Sequence, residues 1–288
     1  FVMRGLRTSN FSNLKDILAA ETKAKSKGAR FEPSAKQLRA LIPTLERLSL
    51  GEMMIVPDTP ASANDAGVIS LKNIDVSMDD HIGPIPTKMN IVVNGFSMPS
   101  TVVPDPKAQA GLQALAYKEL AGDLKIDLNW DEATNTLNAS EVSIDAKDAA
   151  KISIKASLNG IPRALFEDPE KNAMAATFAS LANLDIKISN NSLIERALKI
   201  AASDLQQDPD NLKKLIVAQA GQFLAALGNE EFSTRALSEL RAFLNDPVSL
   251  KLSAAPLNPV PILQLGILAQ GSPGLLVQML NVQVRANN

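Results

Sequence analysis

From Leu124 to Leu158 the chain alternates apolar and polar residues in three consecutive runs, and no other feature narrows its fold so far. Leu124, Ile126, Leu128 and Trp130 alternate with Lys125, Asp127 and Asn129; residues 131–136 read as a turn; Leu137 and Ala139, then Val142 and Ile144, bring the chain back; Ile152, Ile154, Ala156 and Leu158 take it out again. A period of two sends successive side chains to opposite faces, so the pattern predicts a three-stranded antiparallel meander with one apolar and one solvated face. The phase slip between Ala139 and Val142 is what one extra residue in a strand produces, a β-bulge, and bulges bend a sheet.

The same reading extends upstream. Ile69 and Leu71 alternate, Ile74, Val76 and Met78 follow one residue out of phase, and Met89, Ile91 and Val93 run up to Asn94-Gly95, which predicts a long hairpin turning within residues 79–86. Before it, residues 57–67 are made of turn-forming types and read as a loop. Residues 12–27 predict a helix stopped by Gly28, a second helix begins near Ser34, and Leu48 to Val56 reads as strand.

Beyond Pro162 the pattern becomes helical, interrupted by a strand at Leu184, Ile186 and Ile188. Helices are predicted after Asn191 or Ser192, after Asp208-Pro209 and over 231–245, with a strand at Val248, Leu250 and Leu252. The expected fold is α+β, a single elongated domain over 1–288: N-terminal helices and strand in 1–56, an antiparallel β region in 68–160, and a mainly helical part with returning strands in 161–288. A curved sheet of bulged strands is packed by amphipathic helices.

Between Lys251 and Arg285 lie 33 residues without an ionisable side chain. Pro256, Pro259, Pro261 and Pro273, with Gly266, Gly271 and Gly274, interrupt the helix that a bilayer span would need. The stretch is therefore expected inside the protein, threading the core between the strand-like residues 248–252 and 281–284.

Composition excludes several functions. Aromatic residues make up only 4% of the chain, Trp130 and Tyr117 stand alone, and the net charge is −2, so nucleic acid is not an expected partner. Cysteine is absent, which removes disulfides, thiolate metal sites and thiol nucleophiles. Neither a G-x-S-x-G elbow nor a phosphate-binding glycine loop occurs. The only histidine, His81, lies near Asp75, Asp79 and Asp80; a divalent ion could use such a group, but the run reads as a solvated hairpin turn. Asp131-Glu132, Glu167-Asp168 and Glu230-Glu231 fall at turns or helix starts, where negative charge opposes the helix dipole. No catalytic set, metal site or cofactor is read from the sequence.

Apolar area is what remains distinctive. Leu212, Ile216, Phe223 and Leu227 share one helical stripe, and Phe232, Leu240 and Phe243 another. Together with Trp130 they are the candidate wall of a cavity for a lipid or other apolar small molecule; an ordinary solid core is the other reading. Residues 1–50 carry ten cations against four acids. The stretch 15–39 accordingly reads as a solvated basic helix or as a peripheral contact with anionic lipid headgroups.

Residues 120–162, with Asn129-Trp130-Asp131, the restart at Thr136-Leu137 and the exit Gly160-Ile161-Pro162, resemble an element of uncharacterised exported proteobacterial proteins and the β-rich AsmA-like envelope proteins implicated in lipid handling. Residues 243–265 extend the resemblance. It implies fold and compartment, and it carries over no binding residue. A chain that starts at Phe1 and lacks cysteine is expected to have lost an upstream leader or anchor and to reside in the periplasm. The expected function is non-catalytic binding of a lipid or apolar ligand in the cell envelope. A structural or assembly role with envelope protein partners is the alternative, and a hydrolase of unknown class the third.

Overall fold

The computed structural model describes residues 2–4, 11–26, 33, 37–38, 44–56, 67–168 and 172–288. The loop expected at 57–67, apart from Gly67, and most of the helix expected from Ser34 lie outside the described residues, as does the basic stretch beyond Ser26 apart from Pro33, Gln37 and Leu38. In chain order the elements are β1 (Val2–Arg4), α1 (Phe11–Ser26), β2 (Arg47–Leu50), β3 (Met53–Ile55), β4 (Ile69–Leu71), β5 (Asn73–Ile82), β6 (Ile85–Pro99), α2 (Pro106–Ala114), β7 (Glu119–Asp131), β8 (Thr136–Ala146), β9 (Ala150–Asn159), α3 (Arg163–Glu167), β10 (Ser180–Asn190), α4 (Leu193–Asp204), α5 (Pro209–Ala226), α6 (Glu230–Asn245), β11 (Ser249–Ala254), β12 (Val260–Pro261), α7 (Ile262–Gly271), α8 (Pro273–Met279) and β13 (Val282–Ala286).

All strands join one antiparallel sheet whose main path runs β1-β2-β5-β6-β7-β8-β9-β10-β11-β13. It is open and does not close into a barrel. This is the expected α+β architecture with a bulged antiparallel sheet. The meander is β7 to β9, and the predicted phase slip appears as a register shift between Ala139 and Val142. A second shift separates Val93 from Phe96. The alternation predicts a strand end at Asn94-Gly95, whereas β6 runs on to Pro99 through a bulge. Gly95 absorbs it at φ +60°, a conformation a side chain would strain, and its N–H donates to Asp123 Oδ1 at 2.7 Å. At Gly122 the reason for glycine is space, because an added Cβ would collide with the carbonyl oxygen of Asp145 on β8.

The helices follow their caps. Asp208 Oδ1 accepts from Asp210 N at 2.9 Å with Pro209 in the first turn of α5, and Asn229 Oδ1 accepts from Phe232 N at 3.0 Å to start α6. For α4 the capping carbonyl comes from neither Asn191 nor Ser192. Asn190, still on β10, accepts from Ile194 N at 3.0 Å. Helices α4 to α6 form the connection from β10 to β11, and α6 lies against edge strand β13. There Glu239 Oε2 accepts from Ala286 N at 2.7 Å, satisfying a backbone donor that would otherwise advertise an open edge.

The uncharged stretch departs most from expectation. Its ends are the strands foreseen, β11 and β13, and they pair directly, Leu252 opposite Val284. Its middle does not thread the core. It forms the short strand β12 and two helices, α7 and α8, and neither helix has a buried residue.

Candidate functional site

Antiparallel registration stacks the alternating residues into rows that cross the sheet perpendicular to the strands. One row runs Met3, Leu48, Val76, Ile91, Ile126, Val142, Ile154, Ile186, Leu252, Val284. A second runs Leu50, Ile74, Val93, Leu124, Ile144, Ile152, Ile188, Leu250, Ala286. The third is Met78, Met89, Leu128, Ala139, Ala156, Leu184, Ala254, Val282. Directly opposed residues share a face, so the three rows form one apolar surface. Ten strands at about 4.8 Å separation make the first row about 43 Å long.

Among the described residues no second layer covers this surface over most of its length. Of the three rows only Ala254 is buried and most members are half-buried; the most open stretch is at Ile144 and Ile152, opposite one another on β8 and β9, which are 56% and 43% exposed. Helical contact with the sheet concentrates on β13. The opposite face carries ions, including Lys125 with Glu141 at 2.7 Å and Lys251 with Asp185 at 3.0 Å. Glu141 also accepts from Ser143 Oγ at 3.2 Å. Its carboxyl is held below the usual range, first by the Lys125 hydrogen bond, and Glu141 raises the Lys125 ammonium in turn.

A fourth row, Trp130, Leu137, Leu158, Leu181, Val260, closes one long side of the face. Here the chain does build a core: Ile82, Trp130, Ile161 and Ala179 are buried together, with Leu165 and Phe166 of α3 packed over them. The Trp130 and Phe166 rings lie 4.6 Å apart, and the indole N–H donates to the Ile161 carbonyl at 2.8 Å, so the aromatic body is buried and its polar atom satisfied.

The candidate wall read from sequence is thereby divided. Trp130 belongs to the plug beside α3, not to the helices. Leu212, Phe232 and Phe243 are buried in the helical layer, Ile216, Leu227 and Leu240 are half-buried there, and Phe223 on α5 faces solvent. The apolar surface the molecule offers is the open sheet face. Its members were legible as alternation, and what the alternation could not say is that the described helices leave them without a second layer.

Concavities elsewhere on the molecule are lined by charged side chains. One of 580 Å³ is lined by His81, Lys88, Asn129, Asp131, Glu132 and Arg163 among others; Arg163 is tied to Glu132 at 2.7 Å and Glu167 at 2.8 Å. His81 sits on β5 opposite Pro86, beside the hairpin turn expected there. Another, of 690 Å³ between α5 and α6, brings Lys213, Lys214 and Arg241 over Val217, Gly221 and Leu237. Among the described residues no group of three or more His, Asp or Glu side chains is arranged to hold a metal ion.

A family model described as an uncharacterised protein matches residues 143–287, from within β8 through β13. No curated protein matches the chain. Because the match spans half of the sequence and takes in the helical layer with the strands around it, the chain belongs to this family of uncharacterised proteins.

Proposed function

We propose that the protein is a non-catalytic component of the bacterial cell envelope, residing in the periplasm, whose open apolar sheet face carries the hydrocarbon part of a lipid. The observation behind this reading is the set of three apolar rows that cross the sheet with no covering layer among the described residues. An antiparallel sheet with one apolar face normally buries it against a second layer, and exposed apolar surface on this scale marks a binding site. At about 43 Å the long row exceeds the roughly 30 Å hydrocarbon thickness of a bilayer. The shape suits an apolar chain that lies across the strands and slides, more than a ligand locked in a closed cavity. Resemblance of residues 120–162 to AsmA-like envelope proteins points the same way.

Native mass spectrometry of the purified protein, followed by organic extraction, tests the reading. Co-purifying lipid that is lost in an Ile144→Asp/Ile152→Asp variant is the expected outcome. A protein that carries no lipid and takes up none of an added fluorescent fatty acid refutes it.

A further inference from the structure

We infer that the α7–α8 pair is a membrane-docking tip that inserts into one leaflet of a lipid bilayer and brings the β13 end of the apolar face to it. The inference deepens the lipid reading and rests on it. Its basis is a contradiction within the stretch from Ser253 to Val284. A helix as apolar all round as α7 is ordinarily buried in protein or in lipid, yet no residue of α7 or α8 is buried. Leu257 is 97% exposed, Leu263 63% and Ile267 64%. Beside them the short 3-10 turn Ala173–Phe178, which packs on α7, turns out Met174 and Phe178, both largely exposed.

Three observations choose a bilayer over a protein partner. A protein interface surrounds its apolar centre with a polar, charged rim, and here 33 consecutive residues carry no ionisable group at all, the composition that hydrocarbon demands. The size also fits. Ten residues of α7 rise about 15 Å, half the roughly 30 Å hydrocarbon core, and no helix among the described residues is long and apolar enough to cross a membrane. Third is continuity. All three apolar rows end on β13, and α8 packs on that strand, so a docked tip sets the end of the open face at the lipid surface. The cations that flank the stretch in sequence, Lys251, ion-paired with Asp185, and Arg285, stand opposite each other on β11 and β13 three residues below Ala254 and Val282. That places them roughly 10 Å from the start of the tip, within reach of headgroup phosphates.

Flotation with phosphatidylcholine vesicles in about 1 M salt, where the screening length of about 3 Å silences attraction through the basic helix α1, tests the inference. The wild-type chain is expected to float, and Leu263→Asp/Ile267→Asp to lower its partition at least tenfold while circular dichroism stays unchanged. A Leu263→Trp variant is expected to be quenched by brominated acyl chains, with Trp130 enclosed in its plug. Wild-type protein that stays in the aqueous phase, a double variant that floats undiminished, or an unquenched Trp at position 263 overturns the inference. So does self-association that the double variant abolishes without any flotation, which would assign the tip to a second copy of the chain. Ile144→Asp/Ile152→Asp keeps the two readings apart: it is expected to lose bound fatty acid and still float. Fatty acid uptake by a wild-type chain that does not float overturns the tip alone.

Discussion

Replacing Ile144 and Ile152 together by threonine tests whether the apolar face is bare in solution. The two side chains oppose each other on β8 and β9 and keep 56% and 43% of their surface in water. Burying an isoleucine fully contributes about 1.5–3 kcal/mol, so each contributes about half of that here. Threonine retains the β-branch and one methyl group, which preserves strand propensity, and its hydroxyl can bond to water. The loss should be about 0.5–1 kcal/mol per site and about 1–2 kcal/mol for the pair. Under a covering layer the same change would bury an unpaired hydroxyl, costing about 1–3 kcal/mol per site, and would add the lost transfer energy and a cavity of about 0.5–1.5 kcal/mol. The pair would then lose about 3–9 kcal/mol, much of the 5–15 kcal/mol that holds a typical domain. Urea denaturation followed by far-ultraviolet circular dichroism measures the difference, with Trp130→Ala as the contrast. Trp130 is 5% exposed, and its truncation should cost about 3–5 kcal/mol. A threonine pair that destabilises as much as Trp130→Ala, at unchanged m-value, would refute an uncovered face.

Other perturbations probe the scaffold. Gly122→Ala drives a methyl group into the Asp145 carbonyl across the β7–β8 ladder and should lower stability by about 1–3 kcal/mol in the same urea titration. Asn229→Ala removes the cap of α6 and should cost about 1 kcal/mol, read as a lower melting midpoint. Because folding depresses the Glu141 carboxyl below its ordinary value of 4.5, the native state favours the ionised form. The stabilisation is complete above that value and is lost as pH falls through the depressed one. Glu141→Gln should therefore flatten the acid limb of the stability profile below about pH 4.5; an unchanged limb would mean that the Lys125–Glu141 pair does not persist in solution.

The sheet was legible because alternation at a period of two is a local signal: Leu124 to Trp130 and Ile152 to Leu158 name their own faces, and the slip at Ala139–Val142 names its own bulge. Caps were legible where the capping residue is adjacent to the helix, as at Asp208-Pro209. Asn190 reaches forward from β10 to cap α4, and this depends on where the strand ends. Leu257, Leu263 and Ile267 show a deeper limit. Hydropathy says that a residue gains by leaving water, not whether its own chain or something else removes it, so a segment read as core stands exposed. The apolar rows share that ambiguity. Each strand shows which face avoids water, whereas the absence of a second layer among the described residues follows from where the helices pack, α6 against β13 and α4 and α5 stacked in turn beside it, a tertiary fact no single stretch encodes. Trp130 reads as a cavity wall by composition and proves to be the centre of a plug, because its partners Ile161 and Phe166 come from just past the end of β9 and from α3, some thirty residues on.

On the proposed function, the face built by Ile126, Val142, Ile154 and their row-mates takes up hydrocarbon. Site-specific photocrosslinking tests it most directly: a diazirine amino acid at Ile144, with one at Lys125 on the ionic face as control, exposed to a radiolabelled fatty acid. A labelled adduct at position 144, competed away by unlabelled fatty acid, is expected, with none at position 125. Equal labelling at both positions, or none at 144, would contradict it.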